Sequence, residues 1–184
     1  MHRHVIRPLN SDGFTLIELI TTLSIASILL AIGVPSFQTL TQNSRMTATV
    51  NTIAVQLNLA RSEAVKRKTR IIMCPSSDGL DCEDTIIWDE GIIMFTDNNK
   101  NGHLDPGEDL LKHTNAQPKS IRISTTVGRK KAVYDANGFS MGNNVTFTFC
   151  DITEQTDPKA VIVSNSGRAR ISPTNSQGDP LDCS

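Results

Sequence analysis

The sequence predicts an α+β fold, with a long N-terminal helix packed on a mainly antiparallel β-sheet head. Three observations carry this. Residues 14 to 34 form one apolar run with a single charge, Glu18. Apolar residues then recur at three- and four-residue spacings as far as Ala64, the period of a helix with one buried face. From residue 70 the pattern changes to short apolar or alternating segments separated by Gly-, Asn- and Pro-containing stretches, which reads as strands and turns. At 184 residues the chain holds one ordinary core plus an appendage.

The first 13 residues are polar and include Arg3 and Arg7. The run from Phe14 to Val34 contains 14 apolar residues; as a helix it spans about 31 Å, enough for a hydrocarbon core of about 30 Å. A cleaved secretory signal would have a shorter apolar core followed by small residues, whereas here Gly13 precedes the run and Pro35 follows it. The basic residues before the span keep residues 1–13 cytoplasmic and send the rest outward. Residues 35–68 continue the helix as an amphipathic segment, its stripe made by Phe37, Leu40, Val50, Ile53, Ala54, Leu57, Ala60 and Ala64. Lys66, Arg67, Lys68 and Arg70 crowd its end, where cations complement the helix dipole. The head, residues 69–184, is expected to contain strands at 70–74, at 85–96 with a break at Gly91, at 120–126, at 145–150, at 159–163 and at 168–171.

Composition removes several functions. Lys plus Arg number 18 and Asp plus Glu 19, a formal charge of −1, so the chain is not a globally basic nucleic-acid binder. Loss of residues 1–13 leaves 16 basic and 18 acidic residues, a formal −2. No nucleotide-binding or nucleophile-elbow motif is present, two of the four histidines precede the apolar run, and Ser140 and Ser166 have no evident base. Enzyme is the wrong class. Cys74, Cys82, Cys150 and Cys183 show no zinc spacing. In an exported chain an even count reads as two disulfides. Of the three possible pairings we favour Cys74–Cys82 with Cys150–Cys183, whose loops are cheaper to close.

Glu18 is anomalous, because a carboxylate inside an apolar span costs a few kcal/mol. It lies one helical turn after Phe14, so cleavage after Gly13 would place a new positive amine near it. The segment Gly13-Phe14-Thr15-Leu16-Ile17-Glu18-Leu19 resembles the processing site of type IV prepilins and type II secretion pseudopilins. The resemblance implies that a prepilin peptidase cuts after Gly13 and N-methylates Phe14, that Glu18 aligns subunits in a filament, and that Pro35 loosens the helix. Cys74-Pro75, Trp88-Asp89-Glu90-Gly91, Phe95-Thr96-Asp97 and Gly167-Arg168-Ala169-Arg170 resemble the head of the minor pilin and pseudopilin H group (FimT, FimU and GspH types).

Two further segments suggest ligands. Asp97 to Glu108 matches the calcium-loop pattern D-x-[DN]-x-[DN]-G-x₅-E, with Asp97, Asn99, Asn101, Asp105 and Glu108 as ligands, Gly102 at the turn and Leu104 as an anchor to the sheet. The competing reading is an Asn/Gly-rich turn. Calcium is the one cofactor considered. In an extended segment Arg168 and Arg170 share a face about 6.6 Å apart, suited to neighbouring phosphates, with Arg129, Lys130 and Lys131 as a second basic loop. This resembles the G-R-x-R of DNA-binding FimT-like pilins, although secretion pseudopilins carry similar segments. The bland reading is two solvated strand arginines bonding acidic neighbours such as Asp151.

The expected protein is a minor type IV pilin held in the inner membrane with its head in the periplasm until it enters a pilus. It would help prime or cap assembly and capture double-stranded DNA; the alternative is a minor pseudopilin of type II secretion. Its expected partners are other major and minor pilins or pseudopilins, the prepilin peptidase, the inner-membrane assembly platform and the membrane itself.

Overall fold

The computed structural model describes residues 13–183, so the expected leader lies, but for Gly13, outside the described residues. The chain divides into two units, one ending at Leu40 and one beginning at Thr41, and α1 (Leu16–Arg67) contributes to both. In the first unit every described residue is exposed, and the helix is long and apolar enough to cross a membrane. Its few hydroxyls turn back on the helix. Thr21 and Thr22 donate to the carbonyls of Glu18 and Leu19 at 3.0 Å, and Ser24 and Ser27 to those of Ile20 and Leu23 at 2.7 Å. Such bonds satisfy polar side chains where no water is available. Pro35 removes one backbone donor, yet α1 continues through it.

The second unit is built around the rest of α1. Two four-stranded antiparallel sheets form, where one had been expected. Sheet A comprises β1 (Ile71–Pro75), β2 (Gly91–Thr96), β3 (Leu110–Asn115) and β5 (Ala132–Tyr134) in the order β3-β2-β1-β5. Sheet B comprises β4 (Ile121–Thr125), β6 (Val145–Asp151), β7 (Lys159–Val163) and β8 (Ala169–Ser172) in the order β4-β6-β7-β8. Met46, Val50, Ile53, Leu57, Ala60 and Ala64 of α1 share one core with Ile71, Met73, Ile92 and Met94 of sheet A and Phe147, Phe149, Val161 and Val163 of sheet B. Phe37 and Leu40, expected in the stripe, are exposed, and Met46 takes the place at its start.

β1 and β2 are buried on both faces, which is why they read as continuous apolar runs rather than alternating ones. Ile72, Cys74, Ile93, Phe95 and Val133 make a second core on the far face of sheet A, covered by Cys82 and Leu104. The bonds Cys74–Cys82 and Cys150–Cys183 are both formed.

The segment expected as a strand from Thr85 becomes one only at Gly91. A Cβ on Gly91 would lie 2.3 Å from the Ser76 carbonyl oxygen, so the chain changes course there on a position closed to other residues. Residues 85–90 instead lie along the outer edge of β4, with the Trp88 N–H donating to the Ile123 carbonyl at 2.9 Å and the Thr125 N–H to that of Ile86 at 2.9 Å. Trp88 enters the core edge-on to Phe147 at 4.8 Å and donates its indole N–H to the Thr125 hydroxyl at 3.3 Å.

Asp151 ends β6 and organises the turn after it. Its carboxylate accepts the Gln42 amide of α1 at 2.8 Å, the Thr153 hydroxyl and N–H at 2.6 and 2.9 Å, and the N–H groups of Gln155 and Thr156 at 3.0 and 3.1 Å. Burial pushes this carboxyl up, but the bonds from Thr153, Gln155 and Gln42 together outweigh it and hold it below the ordinary value of 3.8. A carboxyl with a depressed folded pKa stabilises the fold fully above its unfolded pKa and loses that contribution as pH falls through the folded value. Asp151→Ala is expected to cost residues 41–184 about 2 kcal/mol at neutral pH, with the deficit shrinking as the pH is taken below 3.8. Urea unfolding at several pH values measures this, and a deficit that does not change with pH contradicts it.

Candidate functional site

The processing segment gains a local reason for its spacing. α1 begins at Leu16, so Thr15 occupies the N-cap and its hydroxyl accepts the Glu18 N–H at 3.3 Å. Glu18 is then the third residue of the helix, the arrangement of a capping box, where the positive end of the helix dipole favours a carboxylate. Gly13 and Phe14 precede the helix in irregular backbone, which a peptidase needs in order to reach a peptide bond. Thr15, which sequence reasoning left without a role, was legible as the first member of a T-x-x-E signal.

The Gly167-Arg168-Ala169-Arg170 segment forms the turn and first residues of the β7–β8 hairpin. Gly167 has φ 75° and its N–H donates to the Ser164 carbonyl at 2.8 Å, so the turn needs a left-handed residue. A Cβ there would lie 1.9 Å from the Gly138 carbonyl oxygen. That oxygen also accepts the Arg61 guanidinium of α1 at 3.0 Å, and the Ser140 N–H donates to the Asn165 carbonyl at 2.9 Å. The glycine therefore seats the hairpin against helix and loop, and Arg61 and Gly138 are the residues that sequence reasoning missed.

Arg168 and Arg170 are both exposed. Arg170 stands opposite Ile162, which stands opposite Thr146, so the arginines lie on the outward face of sheet B together with Arg122, which pairs across from Cys150. Asp151 is fully engaged by the donors described above and takes no arginine. Among the described residues neither Arg168 nor Arg170 has an ion-pair partner, so the two stand as solvated arginines and not as arginines bonded to acidic neighbours. The second basic loop is spent elsewhere. Arg129 donates to the Gly142 carbonyl at 2.8 Å, Lys130 pairs with Asp84 at 2.7 Å and Lys131 donates to the Gly102 carbonyl. Among the described residues no hydrogen bond or ion pair joins it to the arginine pair. Beside Arg122, residues 175–183 fold back over the same face under the Cys150–Cys183 bond and leave a cleft of about 430 Å³ lined by Thr126, Thr146 and Thr148.

The expected calcium loop connects β2 to β3. The Asn99 and Asn101 amides donate to Asp105 at 2.7 and 2.6 Å, and Asn99 first, then Asn101, holds that carboxyl below its ordinary range. Glu108 accepts the Asn98 N–H at 2.6 Å and the Asp105 N–H at 3.2 Å. Asp97 is buried and paired with Arg70 at 3.3 Å. Leu104 packs against the second core, as its expected anchoring role requires. Among the described residues no three Asp, Glu, His or Cys side chains gather as a metal cluster. Asp105→Ala is expected to lower the Tm of residues 41–184 in EDTA, since both asparagine contacts go. The same scan with calcium tests the ion: a rise lost in the variant supports binding, and identical curves leave a hydrogen-bonded turn.

Comparison with known proteins agrees with this geometry. Residues 49–167 match the family model of the type II transport protein GspH, and residues 9–34 match the prokaryotic N-terminal methylation motif. The pilin-like protein PilA1 of Thermus thermophilus is 26% identical over 164 residues, covering 86% of this chain and 97% of its own. The fold is similar to the type IV minor pilin FimU of Pseudomonas aeruginosa, with a TM-score of 0.58 at 19% identity over 79% of this chain and 99% of that one. It is also similar to the minor pseudopilin EpsH of the Vibrio cholerae type 2 secretion system, with a TM-score of 0.50 at 11% identity over 70% and 96%. An apolar helix capped at Thr15, continuing into the core of a two-sheet head that the family model covers as far as residue 167, places this chain in the GspH family of type IV minor pilins and pseudopilins.

Proposed function

We propose that the chain is a minor pilin that is processed after Gly13, N-methylated on Phe14 and built into a type IV pilus, where it helps prime or cap assembly. The observation that carries this reading is the apolar first part of α1, exposed at every described residue up to Leu40, with Glu18 in its first turn. Such a surface is tolerable only in lipid or against other helices. Before assembly it lies in the inner membrane with the head in the periplasm, and during assembly neighbouring pilin helices replace the lipid. The prepilin peptidase, the inner-membrane platform and the other pilins are its partners. The same chemistry serves a pseudopilus of type II secretion, and deletion of the chain separates the two: loss of pili with intact secretion supports the pilus, the reverse the pseudopilus.

Gly13→Ala is expected to leave an unprocessed precursor by mass spectrometry. Glu18→Ala is expected to be processed normally yet to be depleted from sheared filaments. Uncleaved wild-type protein, or wild-type incorporation of the Glu18 variant, counts against the reading.

A second reading adds DNA capture. It is favoured by Arg168 and Arg170 standing exposed, on one face and without ion-pair partners among the described residues. Unpaired guanidinium groups bind phosphates without reading bases, and such binding weakens steeply with salt. Residues 41–184 are expected to retain duplex DNA of arbitrary sequence at low salt, and Arg168→Gln with Arg170→Gln is expected to abolish retention without changing the Tm. Equal retention by the variant removes DNA from the function of this pair.

A further inference from the structure

A pocket of about 560 Å³ opens beside the C-terminal end of α1, between that end, the start of the 97–108 loop and the β5–β6 loop. Phe139 and Met141 give it apolar surface, 43% and 71% exposed. Both signs of charge line it: Lys68, Arg70 and Lys100, and against them Asp97 and Asp135. Asp97 is buried 3.3 Å from the Arg70 Nε, which offsets its charge within the fold. Asp135 accepts the Asn137 and Phe139 N–H groups with one carboxylate oxygen, at 2.8 and 3.0 Å, and the other keeps its acceptor capacity. The exposed Asn137 amide beside it supplies donors and a further acceptor. An anion entering here meets the Asp135 carboxylate, and a cation meets Lys68 and Lys100, so neither is selected. A flat, uncharged aromatic group with donors and acceptors along its edge meets no like charge. A nucleobase is such a group.

The loop that carries Phe139 and Met141 is built onto the arginine hairpin. The Ser140 N–H donates to the Asn165 carbonyl at 2.9 Å, and the Gly138 carbonyl, held by Arg61 at 3.0 Å, is the floor on which Gly167 rests. Two residues further on, the Gly142 carbonyl accepts the Arg129 guanidinium at 2.8 Å. Along this fixed backbone Gly138 and Ser140 are buried, while Phe139 and Met141 are exposed and line the pocket. The loop thus meets the hairpin on one side and the pocket on the other. Arg168 follows Gly167 directly, so one loop's width separates the arginine pair from the pocket. A nucleic-acid strand carries a base beside every phosphate, and a strand gripped by the arginines brings its bases to this loop.

We propose that the pocket takes an unpaired base of the DNA whose phosphates Arg168 and Arg170 hold, its face on Phe139 and Met141 and its edge toward Asp135 and Asn137. The proposal rests on the DNA-capture reading given above and narrows its substrate to DNA with a single-stranded end. Within a continuous duplex the base faces are stacked and their edges paired, and a base enters such a pocket only after unstacking and unpairing. At a single-stranded end that cost is absent. Every base has a face to stack, so the contact adds affinity without reading sequence.

The test uses the full-length chain in neutral detergent and fluorescein-labelled forms of one DNA duplex: blunt, with a short single-stranded extension, and with the same extension made abasic. The abasic extension keeps the phosphates and lacks the bases, so it separates the pocket from the arginines. By fluorescence anisotropy at low salt, the normal extension is expected to bind about tenfold more tightly than the abasic one. Phe139→Ala is expected to bring the two extensions to one affinity, whereas Phe139→Trp, which keeps a stacking face, is expected to retain the difference. Should Phe139→Ala lower the Tm, Met141→Ala at the more exposed position is expected to reduce the difference with the Tm unchanged. Arg168→Gln with Arg170→Gln is expected to weaken binding of every probe. Equal binding of the two extensions by the wild-type chain, or a preference that survives Phe139→Ala, overturns the base pocket and leaves duplex capture by the arginines standing. A folded wild-type chain that binds no probe overturns the DNA reading itself.

Discussion

The burial of one stripe of α1 between two sheets is the contact on which the rest of the molecule depends. Met46, Ile53, Leu57, Ala60 and Ala64 lose all contact with solvent there, and residues of both sheets complete the same core. Among the described residues α1 is the only helix, and its stripe meets both sheets in that core. The same helix is apolar all round before residue 40 and apolar on one side after it. One continuous element therefore serves two solvents, and the change of pattern marks where lipid or neighbouring helices give way to the protein's own core.

Around that core, irregular segments are held by a few polar anchors, each used more than once. The Gly138 carbonyl accepts Arg61 and also sets the floor on which Gly167 rests. Asp151 binds α1 through Gln42 and at the same time closes the β6–β7 turn. Trp88 fills the core and, through its backbone, covers the outer edge of β4. Shared anchors of this kind make loops behave as parts of the core. That property suits a head whose loops must present fixed surfaces to neighbouring subunits.

Much of this was legible in the sequence because the controlling forces are local. The apolar run, the three- and four-residue stripe and the alternation at Val145, Phe147 and Phe149 each announce burial through spacing alone. The Cys74–Cys82 and Cys150–Cys183 pairs follow from chain entropy. What escaped was what depends on distant partners. β3 is mostly exposed and polar in composition, and β5 has three residues; both are strands because β2 and β1 offer them edges. The division into two sheets is a matter of tertiary packing, since a helix buried on one stripe has room for a sheet on either side. Gly167 looked like part of a phosphate-binding motif, and its steric need appears only once Gly138 is placed against it.

What singles out the arginine pair is its placement, not its want of partners. Among the described Lys and Arg side chains of the head, only Lys66, Arg67, Arg70 and Lys130 make ion pairs. An exposed cation gains little from such a pair, so an unpaired one is not by itself a site. Arg168 and Arg170 stand two residues apart beside a turn that Gly167 seats against the Gly138 carbonyl, itself held by Arg61. Their strand is an edge strand, and across from Arg170 lies Ile162 rather than a carboxylate. Neighbouring guanidinium groups on backbone fixed in this way suit neighbouring phosphates, whereas cations scattered over loops offer no such spacing.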